Sequence, residues 1–439
     1  MRCGDFRISA VAIAVFALFA GLYHWARPVY DTALSWYGIR PFEFPFLDLD
    51  AITAAVECLR QGFDVYAVHP CDVLGRPHIY SPLWLAASVL PITRAWTTPV
   101  GLGLDLAFLL SLAAVPVPSE RRNQWLMLAA VLSTMSVYAV ERANNDVVIF
   151  LLMLLAGVAL ARPSAGVGAT AWRQCAYPLI MLAAMLKFYP ISGLIASFRE
   201  RRPTFITVNL VMLCALLIFV GAERNELARV LAMAQFGHYY TDFFGAKNLP
   251  YGITELIYRP SWEPIIRFMP SVLMVVLCSR ALWLTTALAR RSALQIALLG
   301  LEEREKMLLI LGAGMLVGCF FAGQSIGYRG IFFLLILPGL LALARRTQGD
   351  EASSLCRQTV WLILFVMWSD ALRHTIFAAQ PLELPGRDII AASFWLAREI
   401  IWWRIIGVLG GILLCFVLTS PVWCGISSDQ PTIKISPAP

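Results

Sequence analysis

Residues 176–202 read AYPLIMLAAMLKFYPISGLIASFRERR. The apolar part, 176–198, is long enough to cross a hydrocarbon core of about 30 Å once. Tyr189-Pro190 breaks it in the middle. Proline removes a backbone donor and disfavours helix in the residue before it. A single crossing would also put the Arg199–Arg202 cluster on the opposite side from the other arginine clusters. Two short half-crossings, 176–188 and 189–198, keep it with them. A broken helix inside a bilayer must satisfy its free backbone groups in protein or in a wet cavity. The sequence therefore predicts that the turn at Lys187 to Pro190 lines such a cavity.

The rest of the chain has the same character. Of 439 residues 59% are hydrophobic and only 14% charged, and the mean hydropathy is +0.70. Soluble domains carry about 25% charge. Apolar runs of crossing length recur from end to end, joined by short loops. The reading is an all-α polytopic membrane protein of about 11–13 transmembrane helices with helices in its external loops. Residues 1–425 form one membrane domain and 426–439 a polar tail. The predicted spans are 8–26, 97–117, 124–141, 146–162, 176–188, 189–198, 204–221, 264–289, 307–323, 331–344, 358–377 and 399–420. Segment 79–93 is apolar but short, and is read as lying on the surface or re-entering. The first run follows Arg2 and Arg7 and ends in Tyr23-His24-Trp25, an interfacial belt, so it is read as a retained anchor rather than a cleaved signal.

The net charge of +7 resides in small clusters between apolar runs: Arg121-Arg122, Arg199 to Arg202, Arg290-Arg291 and Arg345-Arg346. That is the positive-inside pattern, not a nucleic-acid stripe. It puts the N-terminus in the cytoplasm of a bacterial-type inner membrane. Three substantial segments then lie outside: 27–96, 222–263 and 378–398. Cys58 and Cys71 share the first of them. An oxidising exterior would allow them to bond; two free thiols is the alternative.

Charges near a membrane are costly and mark functional sites. On the predicted outer face, Asp48-Leu49-Asp50 precedes a helix read as Ala51 to Gln61. Asp50 is placed to cap that helix. Asp48 has no such structural reason, and a carboxylate beside apolar surface suits base chemistry. Either of the two could be the base. Asn144-Asn145-Asp146 opens a span, where a helix N-terminus favours anions, and Arg142 could clamp a phosphate. Lys187 is a compact charge for a phosphate, and Arg329, in Gly327-Tyr328-Arg329-Gly330, is placed similarly. Snorkelling or anchoring are the plainer readings of those two. His78 is either a substrate contact or an ordinary loop residue. The five histidines show no metal-ligand spacing, and the sequence lacks Walker, GxGxxG and GxSxG motifs, so no nucleotide-driven pump or serine hydrolase is indicated.

These pieces stand in a familiar order. An early external aspartate is followed by Gly62-Phe63-Asp64-Val65-Tyr66 and then Tyr80-Ser81-Pro82-Leu83-Trp84. The asparagine turn at 144–146 and Leu186-Lys187-Phe188-Tyr189-Pro190 come next. Over roughly residues 1–200 this resembles glycosyltransferase family 87 and related membrane enzymes of the GT-C superfamily. The resemblance implies a GT-C-like bundle and an inverting glycosyltransferase, mannosyltransferase-like, that works at the outer face. It would take a sugar from a polyprenyl-phosphate donor and pass it to a lipid or glycan acceptor. It implies an aspartate base matching Asp48 or Asp50 and donor-phosphate contacts at Lys187, Arg142 and Arg329. Substrate contacts would be Asn144, Asn145, Asp146, Tyr80, Trp84, Tyr189 and His78. No nucleotide cofactor is implied, and divalent-metal use varies within the superfamily. Ala143 departs from the family's usual glycine, and Pro70-Cys71-Asp72 is an insert; both mark a divergent branch. A flippase or transporter, or a non-catalytic envelope-assembly subunit of the same fold, are the rival classes.

Overall fold

A computed structural model describes residues 5–162, 167–233, 239, 242–257, 267–378 and 387–423. The expected polar tail at 426–439 lies outside these residues, as do the first residues of the span expected at 264–289. The first part of the described chain runs through α1 (Asp5–Trp25), α2 (Arg27–Trp36), α3 (Leu47–Arg60), α4 (Thr97–Ser111), α5 (Arg121–Val131) and α6 (Thr134–Glu141). It continues through α7 (Asn145–Leu160), α8 (Val167–Gln174), α9 (Ala176–Leu186), α10 (Arg202–Ala222), α11 (Arg224–Met233) and α12 (Asn248–Ile257). Five helices follow: Met269–Ala289, Ser292–Leu299, Glu303–Ala322, Phe333–Arg346 and Glu351–Ala378; the last described is Arg387–Leu418. The strands described are a two-residue pair, β1 (Phe243–Phe244) antiparallel to β2 (Ser325–Ile326). The chain is an all-α polytopic membrane protein.

Eight described helices are long and apolar enough to cross a membrane, nine if α5 and α6, bent by 42° at Leu132-Ser133, form one crossing. The expected count of 11–13 is reached only with shorter pieces. α7 has 16 residues, about 24 Å, and α9 only 11. The burial of the long helices shows which are central. Arg202–Ala222 buries 11% of its apolar window, whereas Gly327–Arg346 buries 94%. The first presents its apolar side chains outward, as a lipid-facing helix does. The second is the middle of the bundle.

The opening stretch folds as a hairpin. α9 ends at Leu186, and the chain returns as a 3-10 helix, Tyr189–Arg199. Its two feet meet: the Tyr177 hydroxyl donates to Glu200 at 3.0 Å, and Arg173 pairs with Glu200 at 3.1 Å. The break at Tyr189-Pro190 is therefore a turn that sends both feet to one end of the bundle. The returning arm packs closely on Glu303–Ala322 through Gly314 and Gly318. A methyl group on Gly318 would lie 2.6 Å from Ser192 Oγ. This is the small-xxx-small contact that lets membrane helices approach.

The arginine clusters collect at the end where those feet lie. Arg199 pairs with Glu303 at 3.5 Å, Arg291 with Glu351 at 2.6 Å and Arg345 with Glu120 at 4.0 Å. The hairpin tip lies at the opposite end, against the first long loop: Ser81 Oγ donates to the Met185 carbonyl at 2.6 Å. Segment 79–93 forms only a short 3-10 helix, Pro82–Val89, too short for a full crossing.

Candidate active site

The site is built where α3, the α6–α7 turn, the hairpin tip and the Gly327–Phe332 turn meet. α3 begins at Leu47, four residues earlier than its expected start. Phe46 occupies the cap position, with no side-chain cap hydrogen bond. The expectation that Asp50 caps this helix is thus corrected: it lies in the first turn, and its carboxylate is used elsewhere. Phe46 (φ 61°) and Ala143 (φ 41°) both adopt left-handed backbone, which costs a residue with a side chain of order 1–3 kcal/mol. The two bends face each other. Phe46 N–H donates to the Glu141 carbonyl at 3.2 Å, and Asp48 N–H to that of Arg142 at 3.3 Å. The position that carries Ala143 is therefore one where glycine is conformationally cheaper.

These bends bring together Asp48 and Asn144. Asn144 Nδ2 donates to Asp48 Oδ2 at 2.5 Å. The same side chain caps α7, its Oδ1 accepting from Asp146 N–H at 2.8 Å. Asn144 is thus the cap, and Asp146 lies in the first turn of the helix.

Asp146 is fully buried and gathers the cations. Lys187 Nζ lies 2.7 Å from its Oδ2, and Arg329 Nε lies 3.5 Å from the same oxygen. The Tyr189 hydroxyl donates to Oδ1. Arg329 also donates to Ser325 Oγ at 2.5 Å, and its guanidinium stands 5.0 Å from the Tyr189 ring centroid. Lys187 is nearly buried, its charge met by the Asp146 carboxylate rather than by open water as snorkelling would have it. One carboxylate between two cations leaves the trio a net charge of +1, which favours an anion beside it.

The two candidate bases separate. Asp50 Oδ1 accepts from Arg94 Nε at 2.8 Å and from Thr97 Oγ1 at 3.3 Å, tying α3 to the start of α4. Asp48 faces the other way. Burial raises its pKa above the ordinary value of 3.8; the Asn144 hydrogen bond opposes this, as do the charges of Arg142, Arg76 and Lys187. A buried carboxylate with a raised pKa is a better proton acceptor than an ordinary one.

Arg142 is placed behind the site. Its Nε pairs with Glu141 at 2.9 Å, its Nη2 donates to the Arg40 carbonyl at 3.0 Å, and Phe42 stacks 4.4 Å away. The fork expected to clamp a phosphate is thus largely occupied by protein, though its charge still acts on Asp48. Asn145 is buried, and neither of its amide atoms has a hydrogen-bond partner among the described residues. Tyr80 is half-buried. The charges acting on its hydroxyl are those of Asp48, Arg76, Asp146 and Arg329, and burial raises its pKa well above 10. His78 is buried between the rings of Tyr66 and Tyr80, 5.5 and 5.8 Å away. Burial lowers its pKa to about 4, so at neutral pH it is an uncharged packing group. Trp84 is half-buried and packs its face on the main core.

Two supports were not read from the sequence as parts of the site. Cys58 and Cys71 are disulfide-bonded, which staples the insert to α3. The next residue, Asp72, pairs with Arg76 at 2.8 Å, and Arg76 Nη2 donates to the Leu47 carbonyl at 3.2 Å. The insert thereby braces the turn that carries Asp48. The second support is a buried ionic cluster. Arg398 lies 3.6 Å from Asp370 and 3.1 Å from Glu399, and donates to the Phe243 carbonyl at 3.0 Å. It anchors β1, whose partner β2 leads into the Arg329 turn. Two adjacent charges in the apolar run that ends the chain are the signal that could have revealed it.

Among the described residues, no group of three or more His, Cys, Asp or Glu side chains is placed to hold a metal ion. No family model, curated protein or solved structure matches the chain.

Proposed function

We propose that the protein is a membrane glycosyltransferase that moves a sugar from a polyprenyl-phosphate donor to an acceptor hydroxyl. The observation that carries this reading is the joining of four distant segments into one network: a carboxylate at Asp48 beside the Lys187–Asp146–Arg329 trio. Transfer of this kind needs a base for the acceptor and positive charge for the leaving phosphate. Asp48 takes the proton of the acceptor hydroxyl. The acceptor oxygen bonds to the anomeric carbon as the bond from that carbon to the phosphate oxygen breaks. The electron pair leaves with the phosphate, whose growing charge Lys187 and Arg329 stabilise. Asp146 and Tyr189 hold those cations in place, Asn144 orients Asp48, and the unpartnered amide of Asn145 is free to contact a substrate.

An apolar cavity of about 310 Å³ lies among α1, α4, α5 and α6, with Phe16, Phe19, Leu102 and Phe108 in its wall and Phe46 and Glu141 also lining it. It suits an isoprenoid or acyl chain whose head lies near Asp48. By the positive-inside rule, the arginine-rich end is cytoplasmic. The N-terminus is then inside and the site opens at the outer face of a bacterial-type inner membrane. Incubating the purified full-length protein with polyprenyl-phosphate sugars and membrane lipids tests the reading. Sugar transfer that is lost in Asp48→Asn supports it. Lipid translocation without transfer would point to a flippase, and neither activity to an assembly subunit.

A further inference from the structure

The outer end carries a second concavity, separate from the Asp48 network. It lies between the disulfide-stapled loop and α11, has a volume of about 440 Å³, and is lined by Phe63, Asp64, Tyr66, Glu223, Glu226 and Arg229 among others. Arg229 pairs with Asp64 at 2.6 Å and lies 5.0 Å from the Tyr66 ring centroid. Phe63 is 41% exposed, a free aromatic face at the edge of the cleft.

Tyr66 is the telling residue. It is 8% exposed, and its hydroxyl is buried with no hydrogen-bond partner among the described residues. A buried hydroxyl without a partner is costly and calls for an explanation. The charged groups acting on it are Glu226, Glu223, Arg229 and Asp64. These are charged side chains of the cleft, which Tyr66 itself lines. Three carboxylates and one guanidinium leave the cleft net negative.

We infer that this cleft binds a neutral or amino-sugar glycan, with the Tyr66 hydroxyl and the Glu223 and Glu226 carboxylates meeting its hydroxyls and Phe63 stacking on a ring face. An aromatic face with a few convergent polar groups is the make-up of a small-ligand site. The net negative charge disfavours a phosphorylated ligand. A phosphate donor therefore belongs in the Lys187–Arg329 region and not here. The cleft also connects to the proposed base: Tyr66 meets His78, His78 meets Tyr80, and the Tyr80 hydroxyl lies in the field of Asp48. Calling that glycan the acceptor rests on the transfer reading; its binding does not.

The test is saturation-transfer NMR on the full-length protein in detergent, with α-mannotriose, maltotriose, chitotriose and mannose 6-phosphate as probes. At least one neutral trisaccharide is expected to bind saturably, and the phosphorylated sugar at least about tenfold more weakly. Tyr66→Phe keeps the ring and removes only the hydroxyl. It should weaken binding about fivefold, as loss of one neutral hydrogen bond does. Phe63→Ala, which removes little packing from an exposed residue, should weaken it as well. No binding by any trisaccharide, equal binding by Tyr66→Phe, or tighter binding of mannose 6-phosphate would overturn the inference. If glycan binds but no sugar is ever transferred, the cleft stands and the transfer reading falls.

Discussion

Replacing Lys187 by methionine separates a structural from a chemical role for the trio around Asp146. The substitution removes the partner at 2.7 Å and leaves Asp146 with Arg329 at 3.5 Å and the Tyr189 hydroxyl. Breaking a buried ion pair on one side costs about 3–5 kcal/mol, because the remaining charge is uncompensated. Two partners remain here, so the lower end, about 3 kcal/mol, is expected. Asp146→Asn alone leaves two close cations facing each other and should also destabilise. The double variant Lys187→Met/Asp146→Asn removes the pair together, and a neutral replacement of a buried pair is often tolerated. It still leaves Arg329 without its carboxylate, so stability should recover only in part, yet by enough to give a clear coupling in the cycle. Donor affinity and transfer should not return. Loss of one group that stabilises developing charge lowers rate about 100- to 1000-fold, and the rescued fold does not restore it. Unfolding in detergent and a sugar-transfer assay on the same four proteins measure the two quantities. Recovery of transfer in the double variant would refute the phosphate role and leave Lys187 a purely structural partner.

Ala143→Gly should raise the melting temperature slightly, by the equivalent of about 0.5–1 kcal/mol, because a left-handed residue no longer carries a side chain; a lowered melting temperature would show that the buried methyl group outweighs the backbone strain. Reducing the Cys58–Cys71 bond, which closes a separation of 13 residues, should cost the outer loop about 3 kcal/mol and slow transfer by loosening Arg76 on α3; thermal unfolding with and without reductant reads the first effect and the transfer assay the second. Burial raises the pKa of Asp48 in the fold, so its charged form opposes folding, and the sign follows from linkage. This contribution to stability is gained as pH falls through the folded pKa. Transfer does the reverse: it falls as pH drops through that same pKa, because the base becomes protonated. A pH–rate profile of kcat/KM whose acid limb lies no higher than the ordinary carboxylate range would count against Asp48 as the base.

The hairpin was legible because two independent signals agreed. A proline in an apolar run and the side required of Arg199–Arg202 both asked for a turn at Lys187 to Pro190. The choice between Asp48 and Asp50 was not legible from local sequence. Two residues apart on a helix are separated by about 200°, so only one can face the site. Which one is set by Arg94 and Thr97 on one side and Asn144, 96 positions away, on the other. The same non-locality hid the destination of Arg142, whose fork is taken up by Glu141 and Arg40, and the Arg398–Asp370 cluster, whose members lie on separate helices. Composition showed where the apolar pieces lie but not how far each extends before it turns, so several expected spans are shorter than a full crossing.

The most direct measurement is sugar transfer from a polyprenyl-phosphate donor by purified wild-type, Asp48→Asn and Asp50→Asn proteins, each with donor binding measured alongside. The expected result is transfer by the wild type, loss in Asp48→Asn with donor binding kept, and substantial activity in Asp50→Asn, whose Arg94 partner is 43% exposed. Unchanged transfer in Asp48→Asn would contradict the account.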